Sequence, residues 1–240
     1  MSFTLWRGVV GMVRPTRRPG TLEELIRILP EGIGLVPLML NFKAGSNAEF
    51  LSSIPLYERF ASELAEQGVD LIMLTGAPPF MLLGPKKEAA LTKAWTKKFK
   101  TPVLTDPQMQ VAGMRAMKIR NFIGASYSAL QNKIVLDYMI ASGFRALSME
   151  PIDVPFDQVA QISVERLYAH LKQLYRKHRN ADGVYIQGGG WQTVGVVELL
   201  EKDLGIPVVH ATLCEAWQIH KRLDVRDVKP GYGRLLTELP

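Results

Sequence analysis

The sequence predicts an α/β protein of two pseudo-symmetric lobes, each a parallel sheet flanked by helices. Short apolar runs rich in Val, Ile and Leu alternate with amphipathic stretches along the whole chain. Near-continuous apolar strands between helices are typical of parallel sheets that are covered on both faces. A second observation is an internal repeat of strands and loops. The third is size, because 240 residues, 47% of them apolar, suffice for one large core or two small lobes.

Eight short apolar runs bounded by turn residues are predicted as strands. They are Gly8–Val13, Gly34–Leu40, Asp70–Leu74, Pro102–Leu104, Asn121–Gly124, Ala146–Met149, Gly183–Gln187 and Pro207–Val209. Amphipathic stretches between them are predicted as helices, because their apolar residues recur at helical spacing. They include Leu56–Glu66, Gln131–Ser142, Val164–Lys177 and Thr193–Lys202.

The repeat is visible at three landmarks that occur in the same order in both halves. RGVVGMVRP corresponds to RNFIGASYS, GVDLIMLTGAPP to DGVYIQGGGWQ, and TPVLTD to IPVVHA. One such match could arise by chance, but three in order suggest a duplicated unit. The predicted lobes are residues 1–118 and 119–240, with the C-terminal tail able to pack back on the first lobe.

Composition and charge limit the kinds of binding partner that we expect. The net charge is +6, and part of it lies in KKEAALTKAWTKKFK. This segment is either a nucleic-acid patch or the solvated face of an amphipathic helix, and its helical rhythm favours the second, so no nucleic-acid partner is expected. No apolar run approaches the roughly 20 residues that span a bilayer, so no membrane partner is expected. The N-terminal segment shows no cleavable signal pattern, and a homo-oligomer is left open.

A single cysteine, Cys214, excludes an internal disulfide framework and any Cys-x-x-Cys site, and it favours a reducing cytoplasm. Cys214 begins a predicted helix, where a helix dipole could activate it, but a buried apolar role is favoured. No GxGxxG follows the first strand, and neither GxxxxGK[ST] nor a GxSxG elbow occurs. The four histidines lack carboxylates at ligand spacing, so we expect neither a cofactor nor a metal.

Ligands of open parallel sheets bind beyond the carboxyl ends of the strands, so the loops there are the candidate site. In LTGAPPF, the N–H groups of Gly76 and Ala77 could hold an anion, while Pro78 has no such donor. In QGGGWQT, Gly188–Gly190 keep their donors, and a helix starting near Trp191 would direct its N-terminal dipole at the cleft. Glycine turns after strands are also ordinary structural features.

Other strand ends supply polar side chains. Asn41 opens the loop NFKAGSN and is assigned to substrate binding. Tyr127 and Asn132 can both donate hydrogen bonds to a carboxylate, or they can be a packing aromatic and a helix cap. His210 ends the strand PVVH and is a candidate general acid or base, although a structural hydrogen bond would also explain it.

Six segments, taken in order, resemble the arylmalonate decarboxylases and maleate isomerases of the aspartate/glutamate racemase superfamily. They are GMVRP, TGAPPF, ASYSALQN, GVYIQGGG, GIPVV and KPGYGRL. The resemblance spans nearly the whole chain and implies two α/β lobes with a cofactor-free site between them. It also implies substrate-binding positions, which are Pro15, Gly76, Ala77, Pro78, Tyr127, Asn132 and Gly189.

The sequence departs from that family at its cysteines. The resemblance places the cysteine positions near Gly76 and at Gly188, and Cys214 lies too far along the chain to substitute. Another group would therefore move the proton, with His210 the first candidate and Tyr127 the second.

Arginine matches the fork geometry of a carboxylate, so Arg14, Arg17 or Arg18 would hold one. Backbone amides at Gly76, Gly188 and Gly189 would stabilise an enediolate.

The favoured hypothesis is a cofactor-independent carboxylate lyase or isomerase that acts on a small (di)carboxylic acid. The alternatives are a non-catalytic carboxylate-binding pseudoenzyme, a hydrolase or lyase on a related acid, and, last, a basic nucleic-acid-associated protein. The segments LVPLMLNF and PPFMLL weakly favour an apolar or aromatic substituent on the acid.

Overall fold

The computed structural model describes residues 5–240, and within them eight strands form two parallel sheets of four strands each. The first sheet has the order β2-β1-β3-β4 and the second the order β6-β5-β7-β8, so the two halves repeat one topology. The strands are β1 Gly8–Arg14, β2 Ile33–Met39, β3 Leu71–Leu74, β4 Val103–Thr105, β5 Asn121–Ser126, β6 Arg145–Pro151, β7 Gly183–Ile186 and β8 Val208–His210.

Helices cover both sheets. They are α1 Thr21–Ile28, α2 Asn47–Ser52, α3 Ile54–Glu66, α4 Ala77–Met81, α5 Pro85–Phe99, α6 Asp106–Ala116, α7 Ala129–Ala141, α8 Val164–Lys177, α9 Val196–Leu204, α10 Ala211–Arg222 and α11 Arg234–Glu238. A 3₁₀ helix, Phe156–Gln161, lies between β6 and α8. The predicted fold class is confirmed, and every predicted strand is present with its ends moved by at most two residues.

One helix begins later than the sequence indicates. We predicted a helix start near Trp191, but residues 187–195 form a turn and loop, and α9 starts at Val196. Gly188 has a φ of +121°, and the fully buried Trp191 turns its indole back onto this glycine. A helix could not place the indole there, so no helix dipole starts at the glycine turn.

One of two buried apolar clusters is shared by the two halves, and the other lies within the first half. The largest buried cluster runs from Val10 in β1 through Met109 in α6 to Leu213 in α10. In the tail, Leu235 of α11 lies beside Gly113 of α6, 3.6 Å from the point where a Cβ on that glycine would stand. The lobe boundary at residues 118 and 119 stays a prediction. None of the helices in residues 5–240 is both long and apolar enough to cross a bilayer.

The register of the second sheet can be tested at Gly124. A Cβ on this β5 residue would stand 2.7 Å from the backbone oxygen of Tyr185 in β7, which cannot move without breaking the sheet. We expect Gly124→Ala to lower the free energy of unfolding by about 1–3 kcal/mol in urea denaturation.

The matched control is Gly195→Ala, because Gly195 has a φ of −61° and no atom stands within 4 Å of its Cβ position. This change should stay within about 0.5 kcal/mol of the parent. Equal effects of the two substitutions would contradict the packing of β5 on β7.

Candidate functional site

The carboxyl ends of the strands in both sheets open on one shared cavity. A pocket at this edge is where parallel sheets place their ligands. From the first half it is lined by Arg14, Pro15, Thr16, Arg18, Thr21, Phe42, Phe50, Thr75, Gly76, Ala77, Pro78 and Asp106. From the second half it is lined by Tyr127, Phe156, Val159, Gln187, Gly188, Gly189, Gly190 and Glu215.

The structure brings together most of the residues that the sequence assigned to the site. Those that line the cavity are Arg14, Pro15, Gly76, Ala77, Pro78, Tyr127, Gly188 and Gly189. Asn41, Asn132 and His210 do not line it. The chemical role of each lining residue stays a prediction.

The two asparagines have other positions. Asn41 is exposed on the surface. Asn132 donates through Nδ2 to the Met149 carbonyl at 2.8 Å, and its Oδ1 accepts from Ser126 Oγ at 2.9 Å. Both ends of the amide are therefore used to join β5 to β6, and a substrate-binding role for Asn132 stays a prediction.

His210 is placed as a helix cap. It is fully buried, its Nδ1 accepts from the Thr212 N–H at 3.1 Å, and its Nε2 lies 3.2 Å from Thr193 Oγ1. Burial lowers the pKa of His210 to about 3, so the ring stays neutral. The alternative in which this histidine makes a structural hydrogen bond fits the geometry, and the acid–base role of His210 stays a prediction.

The amide of Gly76 already has a partner. Gly76 has a φ of +95°, and its N–H donates to Asp106 Oδ2 at 3.1 Å. Asp106 is the first residue of α6, and its Oδ1 accepts from Gln110 Nε2 at 2.7 Å. Burial raises the pKa of Asp106 above its ordinary value, while these donors oppose the rise. The donor that we assigned to the substrate is thus held by a carboxyl group of the protein.

The glycine turn after β7 keeps its donors. Across residues 5–240, the amides of Gly188, Gly189 and Gly190 donate to no protein acceptor. A Cβ at Gly188 would overlap Nε1 of Trp191, which has no hydrogen-bond partner there. The indole therefore occupies the space of a side chain at the position where the resemblance places a cysteine. The turn offers backbone donors and has no room for a thiol.

A buried ion pair crosses the cleft between the halves. Arg14, the last residue of β1, donates through Nη1 to Glu215 Oε2 of α10 at 2.8 Å. The two side chains are 4% and 1% exposed. Burial raises the pKa of Glu215 to about 7, with Arg14 opposing the rise and Asp106 adding to it. Neither a lysine nor a second arginine hydrogen-bonds this carboxyl in the described chain.

Aromatic side chains from both halves form the apolar wall. The Arg18 guanidinium lies 4.2 Å from the centroid of the Phe156 ring, and Phe42 contacts Phe50 edge-on at 5.4 Å. Phe156 also packs against Gly45 of the first half, 2.9 Å from the Cβ position of that glycine. The 3₁₀ helix therefore reaches across the cleft, and its Phe156–Arg18 contact narrows the mouth.

Several residues that line the cavity were not predicted from the sequence, and three of them are Asp106, Glu215 and Phe156. Asp106 directly follows β4, so the strand-end rule could have found it. Glu215 lies in the segment HATLCEAW, but one helical turn beyond the strand end, and only the packing of α10 shows which way it points. Phe156 carried no signal in the sequence. Cys214 is buried beside Gly113 and is not among the lining residues, as expected of a small apolar residue.

Among residues 5–240, no group of three His, Cys, Asp or Glu side chains could hold a metal ion. The titratable groups at the cavity are instead two arginines, two carboxyls and one phenol. They are Arg14, Arg18, Asp106, Glu215 and Tyr127. The arrangement can bind an anion and transfer protons.

A family model described as arylmalonate decarboxylase matches residues 12–236. The chain is 24% identical over 185 residues to the arylmalonate decarboxylase of Bordetella bronchiseptica, covering 74% of this chain and 75% of the relative. It is also 24% identical over 188 residues to the maleate isomerase of Geobacillus stearothermophilus, covering 75% and 74%.

Among solved structures, a maleate cis-trans isomerase of Nocardia farcinica with a covalently bound succinylcysteine intermediate superposes with a TM-score of 0.88. It is 21% identical, and the match covers 96% of this chain and 98% of that one. At this identity the likeness supports the fold, which agrees with the two duplicated lobes seen here.

The structural role of His210 can be tested by removing the cap. We expect His210→Ala to lower the free energy of unfolding by about 1–2 kcal/mol, because the Thr212 N–H loses its acceptor. His210→Asn should recover part of the loss, since asparagine is a favoured cap. Urea denaturation of both variants measures this, and an unchanged unfolding midpoint for His210→Ala would contradict the assignment.

Proposed function

Because the chain belongs to the arylmalonate decarboxylase family, whose relatives here are decarboxylases and isomerases that act on small carboxylic acids, we propose that it decarboxylates a small malonic acid without a cofactor. The observation that carries this proposal is the cavity between the two sheets. One side of it presents unpaired main-chain donors and an arginine, and the other side is aromatic.

The polar side fits a carboxylate. Arg18 lines the cavity and makes no ion pair to any residue from 5 to 240, so its guanidinium can turn to an incoming anion. The three glycine amides and the Tyr127 hydroxyl are donors within the same wall. Burial raises the pKa of Tyr127 well above its ordinary value, so this hydroxyl keeps its proton and donates.

The aromatic side fits an apolar substituent. Phe42, Phe50 and Phe156 would contact an aryl or alkyl group on the carbon between the two carboxylates. The carboxylate on the polar side would become an enediolate when the other one leaves. The glycine amides would then face growing negative charge, and donors fixed in advance in a dry site stabilise such charge.

Decarboxylation suits the cavity better than isomerisation through a thiol adduct. The Nocardia farcinica isomerase was trapped with a succinylcysteine. No cysteine lines the cavity of the present chain, and Trp191 excludes one from the glycine turn. Decarboxylation needs an anion site and a proton donor, which the cavity provides.

The remaining expectations about partners and compartment are part of this proposal. The lysines of α5 lie on its exposed face, and Glu88, Thr92 and Trp95 form its buried face. This arrangement is typical of a solvated amphipathic helix, so we expect no nucleic-acid partner. The single buried thiol, Cys214, suits a reducing cytoplasm.

We expect the protein to release CO₂ from phenylmalonate in the presence of a chelator, as followed by carbonate detection and by NMR of the phenylacetate formed. Arg18→Gln should raise KM about 10-fold or more, because a charged hydrogen bond to the bound carboxylate is worth about 1.5–3 kcal/mol.

The neighbouring Arg17 provides a matched control, since it is exposed and does not line the cavity. Arg17→Gln removes the same charge from the same loop and should change KM less than about threefold. Equal changes in the two variants would point to long-range charge rather than a contact, and would contradict the proposed carboxylate site.

A further inference from the structure

We infer that Glu215, through its Oε1 atom, is the acid–base residue that transfers the proton at the reacting carbon, an inference that rests on the proposed function. Five titratable side chains line the cavity, and they are the candidates for this role. Each of them except Glu215 either keeps its proton or has its reactive atoms engaged by the protein.

Arginines stay protonated in proteins, which removes Arg14 and Arg18 as acids. The buried phenol of Tyr127 holds its proton too tightly to cycle. Asp106 accepts from the Gly76 amide and from Gln110, so both its oxygens are directed into the protein. His210 lies outside the cavity lining and has both ring nitrogens engaged.

Glu215 has one bound oxygen and one available oxygen. Its Oε2 accepts from Arg14, which fixes the plane of the carboxyl group. Its Oε1 makes no hydrogen bond within residues 5–240 and lies 3.4 Å from the point where a Cβ on Gly189 would stand. The oxygen thus lies beside Gly189 in the glycine turn. A proton on Oε1 would stand close to the oxyanion donors, where the carbanion carbon of a bound acid must lie.

The charges around Glu215 favour this role. With both lining carboxyls ionised, the positive charges of Arg14 and Arg18 are balanced by the negative charges of Asp106 and Glu215. With Glu215 protonated, the cavity has a net positive charge that suits an anionic ligand. Burial, Asp106 and the nearby Glu24 all act to raise the pKa of Glu215, against Arg14, and the result is about 7. A bound anion would favour the protonated form further.

The step balances without any other reactant. The bond from the α-carbon to one carboxylate breaks, CO₂ leaves, and the electron pair remains as an enediolate. Glu215 transfers the Oε1 proton to the α-carbon and becomes a carboxylate paired with Arg14. A proton from water restores the acid after the product departs. In this scheme Arg14 is a positioning residue, because it acts through Glu215.

Glu215→Gln provides the test, since glutamine keeps an oxygen for Arg14 but has no acidic proton. We expect kcat for phenylmalonate to fall about 100-fold or more, with KM changed little. The matched control is Glu88→Gln. Glu88 is another buried carboxyl whose pKa is raised to about 7, but it does not line the cavity, and its replacement should leave kcat within about threefold.

The pH profile of the parent is an independent measurement. The ratio kcat/KM reports the free enzyme, so a required acid with a pKa of about 7 makes kcat/KM level below that pH and lets it fall tenfold per pH unit above it. A kcat/KM that is flat from about pH 6 to 9 would overturn the inference even if Glu215→Gln does not fold.

The two proposals fail in different ways. If the parent decarboxylates phenylmalonate and Glu215→Gln, shown to be folded by circular dichroism, keeps more than a tenth of the parent kcat, the inference is overturned and the proposed function stands. If the parent releases no CO₂ from aryl or alkyl malonates, both are overturned.

Discussion

The buried ion pair between Arg14 and Glu215 is the interaction on which the site depends. It joins the end of the central strand of the first sheet to a helix of the second, at the point where both halves face the cavity. Removing one partner of such a pair typically costs about 3–5 kcal/mol, because the other charge is left buried alone. The pair therefore fixes the spacing of the halves and orients the carboxyl group that faces the glycine turn.

A second constraint is space at that turn. Gly188 is held at a positive φ, and Trp191 fills the volume that a side chain there would need. The absence of a thiol at this position is thus part of the packing, since the indole and a cysteine cannot occupy one place. Carboxyl groups from the helices that follow β4 and β8 lie beside the two glycine loops instead. Asp106 binds the first loop, and Glu215 faces the second.

The fold was predictable because it follows from local patterns. Apolar runs of strand length alternate with helical periodicity, and a duplicated order of landmarks indicates two halves. The location of the site was predictable too, since the carboxyl ends of parallel strands meet at one edge. Tyr127 and Gly189 were found in this way.

The geometry departs from the sequence-based expectation where the direction of a side chain depends on tertiary packing. His210 ends a strand, but it points into the protein and caps α10. The Gly76 amide was assigned to a ligand, yet a carboxyl group thirty residues later in the chain takes it. Glu215 lies one turn inside a helix, and its role follows only from the packing of that helix against Arg14.

The most direct test of this account is a crystal structure of the protein with phenylacetate bound, the product expected from phenylmalonate. The account predicts its carboxylate against Arg18 and the amides of Gly188–Gly190, the phenyl ring against Phe156, and the α-carbon next to Glu215 Oε1. Phenylacetate bound with its carboxylate away from the glycine turn, or outside the cleft between the sheets, would contradict it.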